Sequence, residues 1–218
     1  MTTTDVIEET RDYLVVNKRS GIPTVPLKKD PAGSSLLVDL SGDYPEIRTV
    51  VGRNEWEGGV LHRLDTPTSG LVLIARNQWF YDMMMREQNA GRFVKWYRAE
   101  SEKESEVAGF IPCPYSIYTS YVESGFTAWG PGRKAVRPVL PGSRRWEDGQ
   151  RLYRTDIVSM DGNVLTVKLA NGFRHQVRCH SAWLGMPLLG DTLYGGAGSD
   201  RFGLESFRIE FLGKTVEI

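Results

Sequence analysis

The sequence predicts an α+β protein with a mixed, mainly antiparallel sheet and with flanking helices and loops. Short β-branched and apolar runs recur along the chain, and segments with helical spacing lie between some of them. Two of these runs, residues 152–160 and 164–170, are separated by an Asp-Gly pair that is typical of a β-hairpin. Because hairpins join antiparallel strands, this pattern does not favour a doubly wound parallel sheet.

The composition indicates a globular protein with one substantial core. The chain has 218 residues, of which 40% are apolar and 25% charged, so we expect a single domain over residues 1–218. No apolar run approaches the roughly 20 residues that span a bilayer, and the N-terminus lacks the basic and apolar stretches of a signal peptide. With only two cysteines, a disulfide framework is not expected. We therefore expect a cytoplasmic protein.

The N-terminal half is predicted to alternate strands with helices. Residues 13–17 form a β-branched run that ends in a turn-like segment at 18–23, and residues 34–40 are predicted to form a short helix. Residues 70–76 predict a buried strand.

A longer helix is predicted over residues 78–90. Asn77 is a good N-cap for it and Gly91 stands where a C-cap glycine belongs. Residues 93–99 predict the next strand. In the C-terminal half, residues 107–150 predict short strands and long loops, and a helix is predicted over 173–184, ended by Gly185.

The polar segment 62–70 precedes an apolar strand and contains a proline and a glycine. Two interpretations of Asp65 are open on the residues alone. It is either a carboxylate presented by a rigid loop, or part of the Asx and Ser/Thr turns that set up the following strand, with Thr66, Thr68 and Ser69.

The segment 171–180 is unusual because Arg174 and His175 are predicted in the first turn of a helix, where positive charge opposes the macrodipole. Such a misfit favours an anion such as phosphate at the helix start, with Arg178 one turn later on the same face. Ordinary ion pairs at the surface are the alternative.

The net charge and the distribution of charge give opposite indications about nucleic-acid binding. A net charge of zero does not favour nucleic-acid binding. However, residues 133–154 hold a cluster of cations interleaved with Trp146 and Tyr153, which is either an RNA-facing surface or a solvated face. The cations are Arg133, Lys134, Arg137, Arg144, Arg145, Arg151 and Arg154.

His175 and Cys179 stand four residues apart and could hold one edge of a metal site on a helix. A zinc site needs three or four protein ligands at recognisable spacing, and the sequence offers no second pair. No metal is expected.

Four motifs, in family order between about positions 12 and 196, resemble the signatures of RluA-type pseudouridine synthases. The longer ones are His62-Arg63-Leu64-Asp65-x-x-Thr68-Ser69-Gly70, then Gly172-x-x-His175-Gln176-Val177-Arg178-x-His180 with Leu184-Gly185-x-Pro187-x-x-Gly190-Asp191-x-x-Tyr194-Gly195. The shorter ones are Val16-Asn17-Lys18-x-Ser20-Gly21 and Lys95-x-Tyr97-x-Ala99.

The resemblance implies the catalytic-domain fold of these enzymes and the isomerisation of a uridine within RNA, without a cofactor. It assigns Asp65 as the catalytic carboxylate, Tyr97 as a group that stacks near the base and can move a proton, and Arg178 as the partner of the aspartate. Arg63 matches a residue that displaces the target base, and Val177 is expected to line the uracil pocket. The remaining matched residues are expected to contact RNA or base: His62, Arg174, His175, Gln176 and Lys18.

The partner implied is a stem-loop of ribosomal or transfer RNA, with no membrane partner and a monomer as the default. The chain departs from the family pattern in two places. It reads Gly172-Phe173-Arg174 where most members have Gly-Arg-Thr or Gly-Arg-Ser, and Arg19 replaces a proline. No S4-like domain is expected before the core.

Two other functions remain open at this point. One is a catalytically silent RNA-binding protein that retains the synthase fold. The other is a glycoside or nucleoside hydrolase, which would need a second carboxylate that is not evident near Asp65.

Overall fold

The computed structural model describes residues 5–101, 107 and 109–218, and the chain divides into two compact units. The first comprises Met1–Lys95 with Glu205–Ile218, and the second comprises Trp96–Leu204. A single catalytic domain remains a prediction.

The first unit holds a mixed sheet. Its strands are β1 (Asp5–Glu9), β2 (Tyr13–Lys18), β3 (Ser69–Ala75), and the later strands β9 (Leu204–Phe211) and β10 (Lys214–Glu217). The order is β1-β2-β3-β9, with β10 paired to β9. All neighbours are antiparallel except β3 and β9, which run parallel where Gly70 lies opposite Ser206.

The first unit also holds two helices that begin at side-chain caps. The α1 helix (Leu36–Leu40) begins after Ser35, whose hydroxyl accepts from the amide of Val38. The α2 helix (Gln78–Asn89) begins after Asn77, whose side chain accepts from the amide of Phe80 at 2.9 Å. Gly91 follows α2 with φ +74°, as predicted for a helix that ends in a left-handed glycine.

Apolar residues on one face of α2 pack on the sheet of the first unit. Phe80 and Met84 are buried against Tyr13 on β2 and Leu73 on β3. The strands and helices predicted in this half of the sequence are therefore confirmed to within one or two residues.

In the described residues of the second unit, five strands form a sheet beside one α-helix, and the pairs among the last four of these strands are antiparallel. The strands are β4 (Val94–Glu100), β5 (Tyr121–Trp129), β6 (Ala135–Val139), β7 (Tyr153–Asp161) and β8 (Val164–Leu169), in the order β4-β8-β7-β5-β6. The predicted hairpin is confirmed, with Asp161 opposite Val164. The predicted mixed, mainly antiparallel sheet is likewise confirmed.

The helix α3 (Gln176–Trp183) packs against β6 and β7 and begins later than predicted. His175 has φ +57° and ψ +19°, so it is left-handed and cannot continue a helix toward its N-terminus. The prediction that Arg174 and His175 lie in the first helical turn is wrong, and so is the prediction that Arg174 shares a helix face with Arg178.

In the described part of the chain, no helix combines the length and the apolar character that crossing a bilayer requires.

Candidate active site

Asp65 lies half-buried on the turn that connects His62 to β3. The amide of Thr68 donates to the carbonyl oxygen of Asp65 at 3.0 Å, which closes the turn. The residue before it is fixed from both sides, because the Thr24 hydroxyl donates to the Leu64 carbonyl at 2.8 Å and accepts from the Leu64 amide at 3.0 Å. The backbone that presents the carboxylate is therefore rigidly held.

Lys18, at the end of β2, supports the same turn from inside the protein. Its side chain is fully buried, and its ammonium donates to the carbonyl oxygens of Arg19, Ile22 and Thr66 at 2.9, 2.8 and 3.2 Å. Burial lowers the pKa of Lys18 to about 8, and the negative charge of Asp65 acts in the opposite direction. The lysine thus places a buried charge behind Asp65, and no surface of it is left for the predicted contact with RNA.

His62 belongs to the core of the first unit. Its Nε2 accepts from the amide of Leu73 at 3.2 Å, and its ring meets Phe93 edge-on at 5.1 Å. Burial, assisted by the charges of Lys95 and Arg53, lowers the pKa of His62 to about 3. A neutral imidazole that accepts from the backbone orders the strand beside the Asp65 turn, and it is only 8% exposed.

Arg63 points its side chain toward solvent, and a buried acid holds it. The Arg63 Nη1 donates to Oε1 of Glu57 at 2.8 Å, while the two side chains are 56% and 6% exposed. A buried carboxylate at the base of an exposed guanidinium fixes where that guanidinium projects.

Arg178, on α3 in the second unit, forms a buried bidentate pair with Asp191. Its Nε and Nη2 donate to the two carboxylate oxygens at 2.7 and 2.8 Å, and the Asp191 side chain is 1% exposed. The guanidinium also lies over the rings of Tyr194 and Phe202, at 5.2 and 5.3 Å from their centroids. These contacts orient Arg178 rigidly.

Tyr97 and Val177 are both buried in the second unit, at 7% and 4% exposed. Tyr97 lies on β4 between Lys95 and Ala99, and the three side chains share one face because side chains alternate along a strand. Burial lowers the pKa of Lys95 to about 7, and its ammonium donates to the Phe93 carbonyl at 3.0 Å.

The residues before α3 have roles other than those the sequence predicted. The Nη2 of Arg174 donates to the carbonyl oxygens of Arg133, Lys134 and Ala135 at 2.9–3.1 Å. His175 Nδ1 lies 3.1 Å from the Tyr194 hydroxyl. Because neither residue is in the helix, the predicted phosphate site at a helical first turn is not formed as described.

Gln176 is 2% exposed. Its side-chain oxygen accepts from the Phe173 amide, and its side-chain nitrogen donates to the Arg154 carbonyl oxygen. Cys179 is fully buried, which raises the pKa of its thiol. His175 and Cys179 do not share a helix face, and among the described residues no three His, Cys, Asp or Glu side chains are grouped as metal ligands would be.

The structure thus joins Asp65 with Lys18 in the first unit and Arg178 with Asp191 in the second, while Tyr97 and Val177 belong to the second unit. Sequence reasoning missed the supporting residues Thr24, Glu57 and Asp191. Asp191 stood inside a recognised motif, thirteen positions after Arg178, and its acidic character was a usable signal. Nothing local marked Thr24, which lies forty positions before its partner.

Comparison with known proteins decides the family. The model of the RNA pseudouridylate synthase family matches residues 12–183, which include Asp65, Tyr97 and Arg178. The chain belongs to this family. Similar curated proteins include an uncharacterized RNA pseudouridine synthase of Bacillus subtilis, 27% identical over 95% of this chain and 67% of the relative. Another, from Chloroflexus aurantiacus, is 32% identical over 82% of this chain and 51% of the relative.

A third relative is the ribosomal large subunit pseudouridine synthase D of Yersinia pestis, 29% identical over 88% of this chain and 53% of that protein. The chain therefore spans about half to two thirds of the length of these curated relatives. The human RNA pseudouridylate synthase domain containing 1 shares the fold, with a TM-score of 0.67 at 23% identity over 100% of this chain and 82% of that one.

Proposed function

We propose that this protein is an RNA pseudouridine synthase that converts a uridine in structured ribosomal or transfer RNA to pseudouridine. Membership of the family supports the reaction class. One observation supports Asp65 as the catalytic residue. Its half-buried carboxylate lies on a turn that the buried ammonium of Lys18 holds by a bond to the next residue, Thr66. A fixed acid is what the reaction needs from the protein.

The reaction breaks the bond between N1 of uracil and C1′ of ribose, and it forms a bond between C5 and C1′. The proton on C5 is released to solvent and N1 takes up a proton in its place, so the product is an isomer of the substrate. No electron is exchanged, and the reaction as written needs no cofactor. We assign Asp65 as the nucleophile, attacking either the sugar carbon or the base. The nucleophile is the carboxylate, and Arg178 is proposed as a catalytic residue because it lies in the matched family motif.

Two further steps need other groups. The target base must leave its stack, which costs a few kcal/mol, and we assign Arg63 to the space that the base vacates. After C5 has bonded to C1′, its proton must be removed, and we assign this step to Tyr97 or to Asp65 itself. Val177 is assigned to the apolar wall of the uracil pocket.

The test is release of tritium from ribosomal and transfer RNA transcripts labelled at C5 of uridine. We expect release with the unaltered protein and none with Asp65→Asn, which keeps the shape of the side chain and removes its charge. Asp39→Asn is the matched control, because Asp39 is also half-buried in the first unit and lies on α1.

Release that survives Asp65→Asn would refute the assignment of the nucleophile. Tight RNA binding without release from any transcript would favour the silent RNA-binding alternative. Formation of free uracil from uridine would instead favour a nucleoside hydrolase.

A further inference from the structure

Phe173 is an exposed aromatic side chain in the segment that precedes α3. It exposes 38% of its surface. One face stacks on Phe126 of β5, with ring centroids 4.9 Å apart and an interplanar angle of 7°, and Tyr153 of β7 lies 4.9 Å away at 51°. Because Phe126 covers one face of the ring, the surface that Phe173 exposes lies on the remainder of the residue.

The backbone of Phe173 is fixed by a buried glutamine. The side-chain oxygen Oε1 of Gln176 accepts from the backbone amide of Phe173 at 3.0 Å. The backbone amide of Gln176 donates to the carbonyl oxygen of Phe173 at 3.1 Å. The other end of the Gln176 side chain donates to the Arg154 carbonyl at 2.9 Å and to the Thr155 hydroxyl at 3.1 Å. The ring is therefore presented by a rigid segment.

The left-handed conformation of His175 keeps this segment out of the helix. Such a conformation is unfavourable for a residue with a side chain. Strain of this kind persists where the surroundings over-determine it, often at binding sites. Here it directs Phe173 and Arg174 toward the surface and away from α3.

Exposed cations lie on the segments that contact Phe173 or its neighbour Arg174. The Arg151 guanidinium lies 5.5 Å from the ring centroid of Tyr153, which itself contacts Phe173. The three carbonyl bonds of Arg174 hold residues 133–135 next to its side chain, and Arg133 and Lys134 are both exposed. The loop before β7 adds exposed Arg144 and Arg145, against two exposed acids, Glu147 and Asp148.

We propose that Phe173, supported by Tyr153, is a stacking platform for one unpaired base of the RNA, and that Arg151, Arg133 and Lys134 bind the adjacent phosphates. Aromatic rings with interleaved cations are the combination by which proteins hold single-stranded nucleic acid, because every base has a flat face and every nucleotide a negative charge. The cation excess around the ring favours this polyanion over an apolar protein partner. The choice of RNA as the occupant rests on the proposed function.

The test is binding of a fluorescein-labelled 12-nucleotide oligouridylate, followed by anisotropy. We expect Phe173→Ala to weaken binding about tenfold, the usual effect of losing one stacked base. Phe173→Leu retains apolar packing on Phe126 but offers no ring, so it should bind as weakly as the alanine variant while folding normally. Tyr118→Ala is the control, because Tyr118 is 82% exposed in the same unit and should not affect binding.

Stacking of a base on residue 173 can be detected by fluorescence quenching, which packing of the side chain within the protein does not produce. Phe173→Trp should bind the oligonucleotide as the unaltered protein does, and its additional indole emission should be quenched by oligouridylate but not by polyphosphate, which has the charge without bases. Quenching by both polyanions, or by neither, would overturn the platform.

The cations should act differently from the ring. Arg151→Gln should reduce the slope of log K against log salt concentration by about 0.7, the value for one phosphate on a single strand. Phe173→Ala should leave that slope unchanged. Arg92→Gln is the control, since Arg92 is paired with Glu87 in the first unit.

The platform and the proposed reaction can fail separately. A folded Phe173→Leu variant that binds oligouridylate as tightly as the unaltered protein would overturn the platform, even if tritium is released from RNA. Weakened binding in that variant, with no tritium release by any form of the protein, would retain the platform and refute the reaction.

Discussion

The ammonium of Lys18 donates to the carbonyl oxygen of Thr66 at 3.2 Å, and Thr66 is the residue that follows Asp65. This bond connects the end of β2 with the turn that carries the carboxylate. Since the ammonium also binds two carbonyl oxygens of its own turn, one buried group organises both segments.

Lys18→Met should therefore impair both the fold and the reaction. The methionine fills similar space but leaves the carbonyl oxygens of Arg19 and Ile22 without this donor, while the Thr66 oxygen keeps its bond from the Gly21 amide. The loss should cost about 1–3 kcal/mol in the free energy of unfolding. We expect tritium release to fall at least about tenfold, the effect of misplacing the Asp65 turn. Urea denaturation and the release assay measure the two effects. Lys29→Met, at an exposed lysine, should change neither, and full activity in Lys18→Met would contradict the supporting role.

Glu57→Gln should slow the reaction because Glu57 holds the side chain of Arg63. The amide keeps the shape of the buried side chain but weakens its bond to the guanidinium, so Arg63 should be less well oriented. We expect kcat/KM to fall several-fold, and Glu57→Gln combined with Arg63→Ala to be no worse than Arg63→Ala alone. Glu87→Gln breaks an exposed Glu-Arg pair in the same unit and should have no effect. Additive losses in the double variant would show that the two residues act independently.

Asp191→Asn should destabilise the protein strongly. It removes the charge that compensates Arg178 in a buried bidentate pair, a change that typically costs about 3–5 kcal/mol. Glu100→Gln breaks the more exposed pair between Glu100 and Arg201 in the same unit and should cost no more than about 1 kcal/mol. Equilibrium unfolding in urea compares the two variants. Equal losses of unfolding free energy in the two variants would mean that the burial of the Arg178–Asp191 pair does not increase the cost of breaking it.

Stability should fall as the pH decreases from 6.5 toward 3, because His180 is buried and neutral. Its imidazole lies between the hydroxyls of Thr155 and Ser124, at 2.8 and 3.0 Å, and burial lowers its pKa to about 3. The unfolded chain binds a proton in this range and the folded chain does not, so protonation favours unfolding by about 1 kcal/mol per pH unit.

His180→Gln removes that titration. Its unfolding free energy should depend less steeply on pH between about 4 and 6.5 than that of the unaltered protein. His62, whose pKa is lowered for the same reason, should maintain part of the slope. Parallel curves for the two proteins would show that His180 is not a source of the acid sensitivity.

Gly70→Ala should prevent close approach of β3 and β9. Gly70 has φ +111°, and a Cβ there would lie within 2.3 Å of the Ser206 carbonyl oxygen. Strain and overpacking together should cost more than about 2 kcal/mol. Gly172→Ala is the matched control, since a Cβ at Gly172 meets nothing within 4 Å. A thermal unfolding midpoint unchanged in Gly70→Ala would contradict the packing described for the parallel pair.

The sequence predicted strands and α2 well because continuous apolar runs and side-chain caps are local signals. It failed at the start of α3, where the left-handed His175 and the bonds of Gln176 to β7 override helical spacing. Motif resemblance singled out Asp65 and Arg178 as candidates. The partner of Arg178, Asp191, lies in the same motif, whereas Thr24 lies forty positions before Leu64. The pairing of Thr24 with Leu64 depends on tertiary structure, which no local pattern encodes.

The bonds that anchor residues 66 and 67 of the Asp65 turn end on their backbone oxygens. Ser20 and Lys18 donate to the carbonyl oxygens of Pro67 and Thr66, and every residue type carries such an oxygen. The side chains at positions 66 and 67 can therefore vary without moving the acid, and these are the two unspecified positions of the His-Arg-Leu-Asp motif. For protein engineering, they are the sites at which new contacts could be introduced beside the carboxylate without redesigning its support.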